Sequence, residues 1–138
     1  MIRTTTINVT TTGNAGSAAG RAVANINGYI NHINVNYHAS APATTDIDIH
    51  ADPDGLDYAI YDDDDSATDV FISPRATLVN NAGAAITDSA DRFAVNGALE
   101  VDIAGCDALT NAVVVTVIWD DNVPSARPKA ALTVPTVA

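Results

Sequence analysis

Lysine and glutamate are almost missing from this chain: Lys129 and Glu100 are the only examples. Glutamine is absent altogether, and there are five leucines and one methionine in 138 residues. With the strong helix formers other than alanine so scarce, long helices are not expected. A single cysteine, Cys106, excludes an intrachain disulfide and any multi-cysteine zinc site. No run of about 18 apolar residues occurs, so no segment is suited to cross a membrane as a helix and no membrane partner is expected. The opening Met1-Ile2-Arg3-Thr4-Thr5 has no apolar core, so no cleaved secretion signal is expected. Basic residues number 6 against 17 acids, a formal net charge of −11. That balance excludes a general phosphate-neutralising surface, and no nucleic-acid partner is expected.

What is present is β-forming. Thr, Val, Ile and Asn dominate, and apolar and polar residues alternate with period two. Thr5, Ile7, Val9 and Thr11 share one face, as do Ile33, Val35 and Tyr37, then Ile47 and Ile49, then Leu99, Val101 and Ile103. Val113, Val115, Val117 and Trp119 form the last strong run. Weaker candidates lie at 21–27, 56–61, 69–72 and 91–95, and 15–24 is an ambiguous Ala/Gly-rich stretch. Turn signals separate the runs: Thr12-Gly13-Asn14, Asn27-Gly28, Asp54-Gly55, Asn80-Asn81-Ala82-Gly83 and Asn96-Gly97, the last reading as a hairpin turn. Residues 105–109 fit one helical turn. The pattern predicts an all-β fold, an antiparallel β-sandwich or jelly-roll-like barrel of about eight strands, with extended terminal arms. Residues 1–122 form the domain, with 1–12 as an N-terminal strand or arm, and 123–138 form a proline-containing arm.

Charge is unevenly placed. Residues 46–69 hold ten Asp and no Lys or Arg, whereas 1–45 hold Arg3 and Arg21 and no acid. Clustered loop carboxylates suit hard cations. Asp62, Asp63, Asp64, Asp65 and Asp69 are therefore the candidate ligands for Ca²⁺ or Mg²⁺, although their spacing is not that of an EF-hand loop. A solvated acidic surface is the alternative, and no cofactor is otherwise expected. The three histidines read as surface residues. His32 and His38 share a face roughly 20 Å apart along an extended strand, too far to bind one metal. Arg75 and Arg92 are expected to pair with Asp. Cys106 lies beside an acid, which does not lower a thiol pKa, and no Gly-x-Ser-x-Gly or phosphate loop is present. The chain does not read as an enzyme. Arg3, Arg127, Lys129, Leu132 and Val134 mark the two ends as partner-binding candidates.

Residues 37–46, Tyr37-His38-Ala39-Ser40-Ala41-Pro42-Ala43-Thr44-Thr45-Asp46, resemble a segment of small virion proteins of tailed viruses. So does the run from Ser73-Pro74-Arg75 through Asn81-Ala82-Gly83-Ala84-Ala85-Ile86-Thr87, Asp91-Arg92-Phe93 and Asn96-Gly97 to Cys106-Asp107-Ala108-Leu109 and Val113-Val114-Val115-Thr116-Val117. The resemblance implies a capsid decoration (cement) protein or related structural protein. Such a protein is β-rich, often a homotrimer, without catalytic residues, and binds the major capsid protein on the outer surface of the virion. The Asp excess adds a halophilic host as an expectation, because high negative charge keeps proteins soluble in strong salt. Two other classes fit a compact β-domain. One is a tail or receptor-binding module recognising a host surface glycan, and the other is a Ca²⁺-stabilised extracellular β-module.

Overall fold

A computed structural model describes residues 1–51 and 58–121. Nine strands follow one another in the chain: β1 (Ile2–Val9), β2 (Ala18–Tyr37), β3 (Asp46–Ala51), β4 (Tyr58–Asp63), β5 (Val70–Ile72), β6 (Arg75–Val79), β7 (Ala85–Arg92), β8 (Ala94–Cys106) and β9 (Val113–Asp120). All pairings among them are antiparallel, and the described residues contain no helix. The predicted all-β class holds. The period-two runs are strands, because alternation leaves one face of each apolar and that face must be covered.

The 20-residue β2 organises the fold. Its first part pairs with β8 through Tyr29, and its second part pairs with β9 from Tyr29 to Tyr37. Tyr29 faces Ala94 on one edge and Asp120 on the other, so the strand passes from one half of the molecule into the other there. One half-sheet runs β1-β9-β2-β5 and the other runs β2-β8-β3-β4. Their inward faces meet as one β-sandwich core. Ile7 and Val9 from β1 join Ile33 and Val35 from β2 and the Val113, Val115, Val117 face of β9. Ile47, Ile49, Leu99, Val101 and Ile103 come from the opposing half. The core is built of Val and Ile, whose branched side chains suit a pleated surface. Trp119 is 8% exposed and donates its indole N–H to Thr5 Oγ1 at 2.9 Å.

Several local expectations are corrected. Asn27-Gly28 and Asn96-Gly97 are not turns. They lie inside β2 and β8, where Asn27 pairs with Asn96 and Gly28 with Val95. Gly28 is required for closeness rather than for a turn, since a Cβ there would lie 2.1 Å from the carbonyl oxygen of Asp120. Residues 105–109 form a strand end and a bend, not a helical turn. The ambiguous 15–24 stretch becomes strand from Ala18 onward. Of the two readings of residues 1–12, strand or arm, the strand is the one found over Ile2–Val9: β1 is the edge strand, in register with β9 from Ile2↔Asp120 to Val9↔Val113. The Asp54-Gly55 turn and the 123–138 arm, with Arg127, Lys129, Leu132 and Val134, lie outside the described residues.

Candidate functional site

The two outward faces of the sandwich differ in chemistry. On the β2-β8-β3-β4 half, cross-strand register sets Arg21 beside Asp102 and Asp102 beside Asp48, with Glu100 beside His50. Asp48 in turn faces Asp62. Asp46, Asp48, Asp62, Asp64 and Asp102 line a shallow depression of about 230 Å³.

The predicted metal ligands are divided between β4, which carries Asp62 and Asp63, and the segment after it, which carries Asp64, Asp65 and Asp69. Asp62 and Asp64 reach this depression. Asp63 alternates to the opposite face, opposite buried Ile47, and accepts the Tyr61 hydroxyl at 3.3 Å. The backbone N–H of Asp65 donates to Asp46 Oδ1 at 2.9 Å, and Asp69 accepts the backbone N–H of Tyr37 at 2.7 Å. The contiguous Asp run is therefore not one site. Asp64 is held above the usual carboxylate range chiefly by the charge of Asp62 and then of Asp46, with burial and Asp65 and Asp63 adding to them.

His50 departs from its expected surface position. Its side chain is 9% exposed, and Nε2 lies 2.8 Å from Asp102 Oδ2 and 3.3 Å from Glu100 Oε2. Among the described residues, Asp48, His50 and Asp102 form one group whose potential ligand atoms lie within 4.8 Å of one another. One imidazole nitrogen with two carboxylate oxygens matches a first-row transition metal better than Ca²⁺ or Mg²⁺. Those atoms are also engaged internally. Burial pulls the Asp102 carboxyl up, but hydrogen bonds from Arg21 and His50 outweigh it and hold the group below its usual value. The cluster thus ties β2, β8 and β3 together as an ion network. Its His signal was visible in the alternation of Asp46, Asp48 and His50, but Asp102 and Glu100 come from a strand that only the register reveals.

The outward face of the β1-β9-β2-β5 half carries no Asp, Glu, Lys or Arg in its centre. Thr6, Thr116, Asn34 and Phe71 form one cross-strand row. Thr4, Ile118 and His32 form the next, and Asn8, Val114 and Asn36 the third. Phe71 is 61% exposed and its ring stacks on His32, with centroids 5.2 Å apart and planes at 26°. His32 Nδ1 is 2.7 Å from Ser73 Oγ.

The third feature is the β6–β7 hairpin, a separate two-stranded ribbon. Neither arginine at its base pairs with Asp as its main contact. Arg75 donates to the carbonyls of Asn31 and Pro74. Arg92 donates to Asn31 Oδ1 at 2.8 Å, lies 4.8 Å over the Tyr29 ring and stands 3.9 Å from Asp120. Both fasten the ribbon to β2. Beyond that base, residues 77–87 are exposed throughout. Arg3, the remaining end candidate among the described residues, pairs with Asp121 and holds that carboxyl below its usual value.

No known protein family and no curated protein matches the sequence. Among solved structures, the chain is similar to the family 32 carbohydrate-binding module of C. perfringens NanJ in complex with galactose. That similarity has 10% identity and a TM-score of 0.40, over 85% of this chain and 93% of the other. A variant of a family 29 carbohydrate-binding module aligns at 9% identity and a TM-score of 0.37, over 87% of this chain and 81% of the other. Similarity at this level carries no functional weight.

Proposed function

We propose that this chain is a non-enzymatic structural protein of a tailed virus, a capsid decoration or cement protein. It binds the major capsid protein on the outer surface of the particle and strengthens the lattice. The observation that supports the reading is the hairpin. The residues that resemble virion proteins, from Ser73-Pro74-Arg75 to Asp91-Arg92-Phe93, fold as that one ribbon, clamped at its base to Asn31 and Tyr29. Its far part exposes Leu78 at 43%, Val79 at 57% and Ile86 at 43%. Residues 76–87 carry no charge in a chain of net charge −11. A lone two-stranded hairpin is marginally stable in water, and exposed apolar groups on it favour a partner surface.

The test is co-sedimentation of the purified protein with empty capsids assembled from the major capsid protein of the same virus. Wild type binds saturably and raises the temperature at which the particles rupture. Leu78→Asp with Ile86→Asp, on the exposed ribbon, keeps the fold and lowers binding at least tenfold. Equal binding by the double variant, or no binding by wild type, removes the proposal.

A further inference from the structure

We propose that the outward face of the β1-β9-β2-β5 half-sheet is a binding face for an uncharged glycan, independent of the hairpin and of the capsid reading. Three observations carry it. The first is the charge pattern. In a chain with 17 acids, three consecutive cross-strand rows of this face hold none, whereas the opposite outward face holds most of the described acidic strand positions. A surface that excludes charge on so acidic a molecule discriminates against sialylated, sulfated or phosphorylated chains, which the remaining acids repel.

The second is hydrogen-bonding capacity. Among the described residues, the side chains of Thr6, Asn34, Asn36 and Thr116 have no hydrogen-bond partner within the protein. They offer hydroxyl and amide groups, each able to donate and accept, on a lattice about 4.8 Å by 7 Å set by strand spacing and by the two-residue repeat. Sugar hydroxyls need such mixed donor–acceptor partners, whereas a protein interface centre is dominated by apolar and aromatic groups.

The third is Phe71. Phe71, 61% exposed on a face of Thr, Asn and His with Val114 and Ile118 between them, has no role in the core. It does not project freely. Stacking on His32, which Ser73 holds in turn, restrains the ring before any ligand arrives. The negative face of an aromatic ring attracts the weakly positive C–H groups on one side of a pyranose. Phe71 opposite Asn34 therefore supplies a stacking platform beside a bidentate amide. A restrained platform also reduces the ordering penalty of binding.

The experiment is a printed array of neutral and acidic glycans, followed by calorimetric titration with the neutral oligosaccharide that gives the strongest signal. Wild type binds neutral glycans and not acidic ones. Phe71→Ala lowers affinity at least tenfold with unchanged circular dichroism, Phe71→Trp restores it, and Val23→Ser on the opposite outward face leaves it unchanged. Capsid co-sedimentation of Phe71→Ala stays at the wild-type level, so failure here is distinguishable from failure of the capsid reading. Binding of acidic glycans alone, equal affinity of Phe71→Ala, or loss of capsid binding by Phe71→Ala without any glycan binding would each overturn the proposal, the last by making this face a protein interface.

Discussion

Replacing Gly28 with alanine tests the central feature of the architecture, the passage of β2 between the two halves. A Cβ at this position would sit 2.1 Å from the carbonyl oxygen of Asp120, 2.9 Å from its carbonyl carbon and 3.0 Å from Trp119 Cε3. Ordinary contact requires the end of β9 to withdraw by roughly 1 Å, because carbon atoms pack at about 3.5–4.0 Å. Two of the opposing atoms are backbone, so no rotamer change relieves the overlap. Withdrawal strains the Tyr29↔Asp120 pairing, the neighbouring Ile30↔Trp119 pairing and the packing of Trp119 itself. Overpacking of this kind costs on the order of 3 kcal/mol. For a chain of this length that lowers Tm by about 10 °C.

The assay is thermal unfolding followed by the fluorescence of Trp119, the only tryptophan. The variant melts earlier and its folded-state emission shifts to the red as the indole loses its cover. Gly16→Ala is the matched control. Gly16 has φ +78° with nothing near its missing Cβ, so the substitution reports only left-handed backbone strain, about 1 kcal/mol. A Gly28→Ala protein melting within about 2 °C of wild type, or no lower than Gly16→Ala, refutes the reasoning.

Three other outcomes are expected. The hydroxyl of Tyr37 is buried without a partner, and burial, then the nearby Tyr61 and acids, pushes its pKa up; Tyr37→Phe therefore stabilises the protein by about 1 kcal/mol in urea unfolding, and a loss instead would show that the hydroxyl is satisfied. The depressed folded pKa of Asp102 contributes stability above about pH 4, which is lost as pH falls through the folded value. The Tm gap between wild type and Arg21→Ala is thus widest near neutrality and narrows towards pH 3, and a constant gap would refute it. Raising NaCl from 0.1 to 1 M shortens the screening length from about 10 to about 3 Å. It raises Tm by a few degrees, less in Asp62→Asn/Asp64→Asn, and an unchanged Tm would argue against repulsion in the acidic depression.

The sandwich was legible because its strands bury one face each. Ile47/Ile49, Leu99/Val101/Ile103 and Val113/Val115/Val117 need only period two to be recognised. Gly28 misled for a physical reason. Asn-Gly is favoured in a tight turn because glycine tolerates unusual backbone angles, but a missing Cβ also allows two backbones to approach, and local sequence does not separate these uses. The β6–β7 ribbon escaped detection because neither of its faces is buried, so no alternation is imposed on it. The acidic site was half legible. Asp46, Asp48 and His50 share a visible face, but their partners Asp102, Glu100 and Arg21 lie on strands distant in sequence, and the Asp62–Asp65 run looked like one cluster only until the strand alternated its members to opposite sides.

The net charge of −11 acquires a direction from β2. Along its first part the strand presents Arg21, Val23 and Asn25 outward beside Glu100 and Asp102; along its second it presents His32, Asn34 and Asn36 beside Thr116 and Val114. One continuous strand therefore takes part in an acidic surface and in an uncharged one. Copies of such a protein repel through the first surface and do not through the second or through the neutral ribbon. Close approach of two copies is then opposed least where the uncharged face or the ribbon, rather than the acidic face, lies at the contact. Contacts made by uncharged groups are insensitive to screening, while repulsion between the acidic faces weakens as salt rises. A charge distribution that would hinder crowding at low ionic strength thus becomes compatible with close packing in concentrated salt, without any change in the groups that make the contacts.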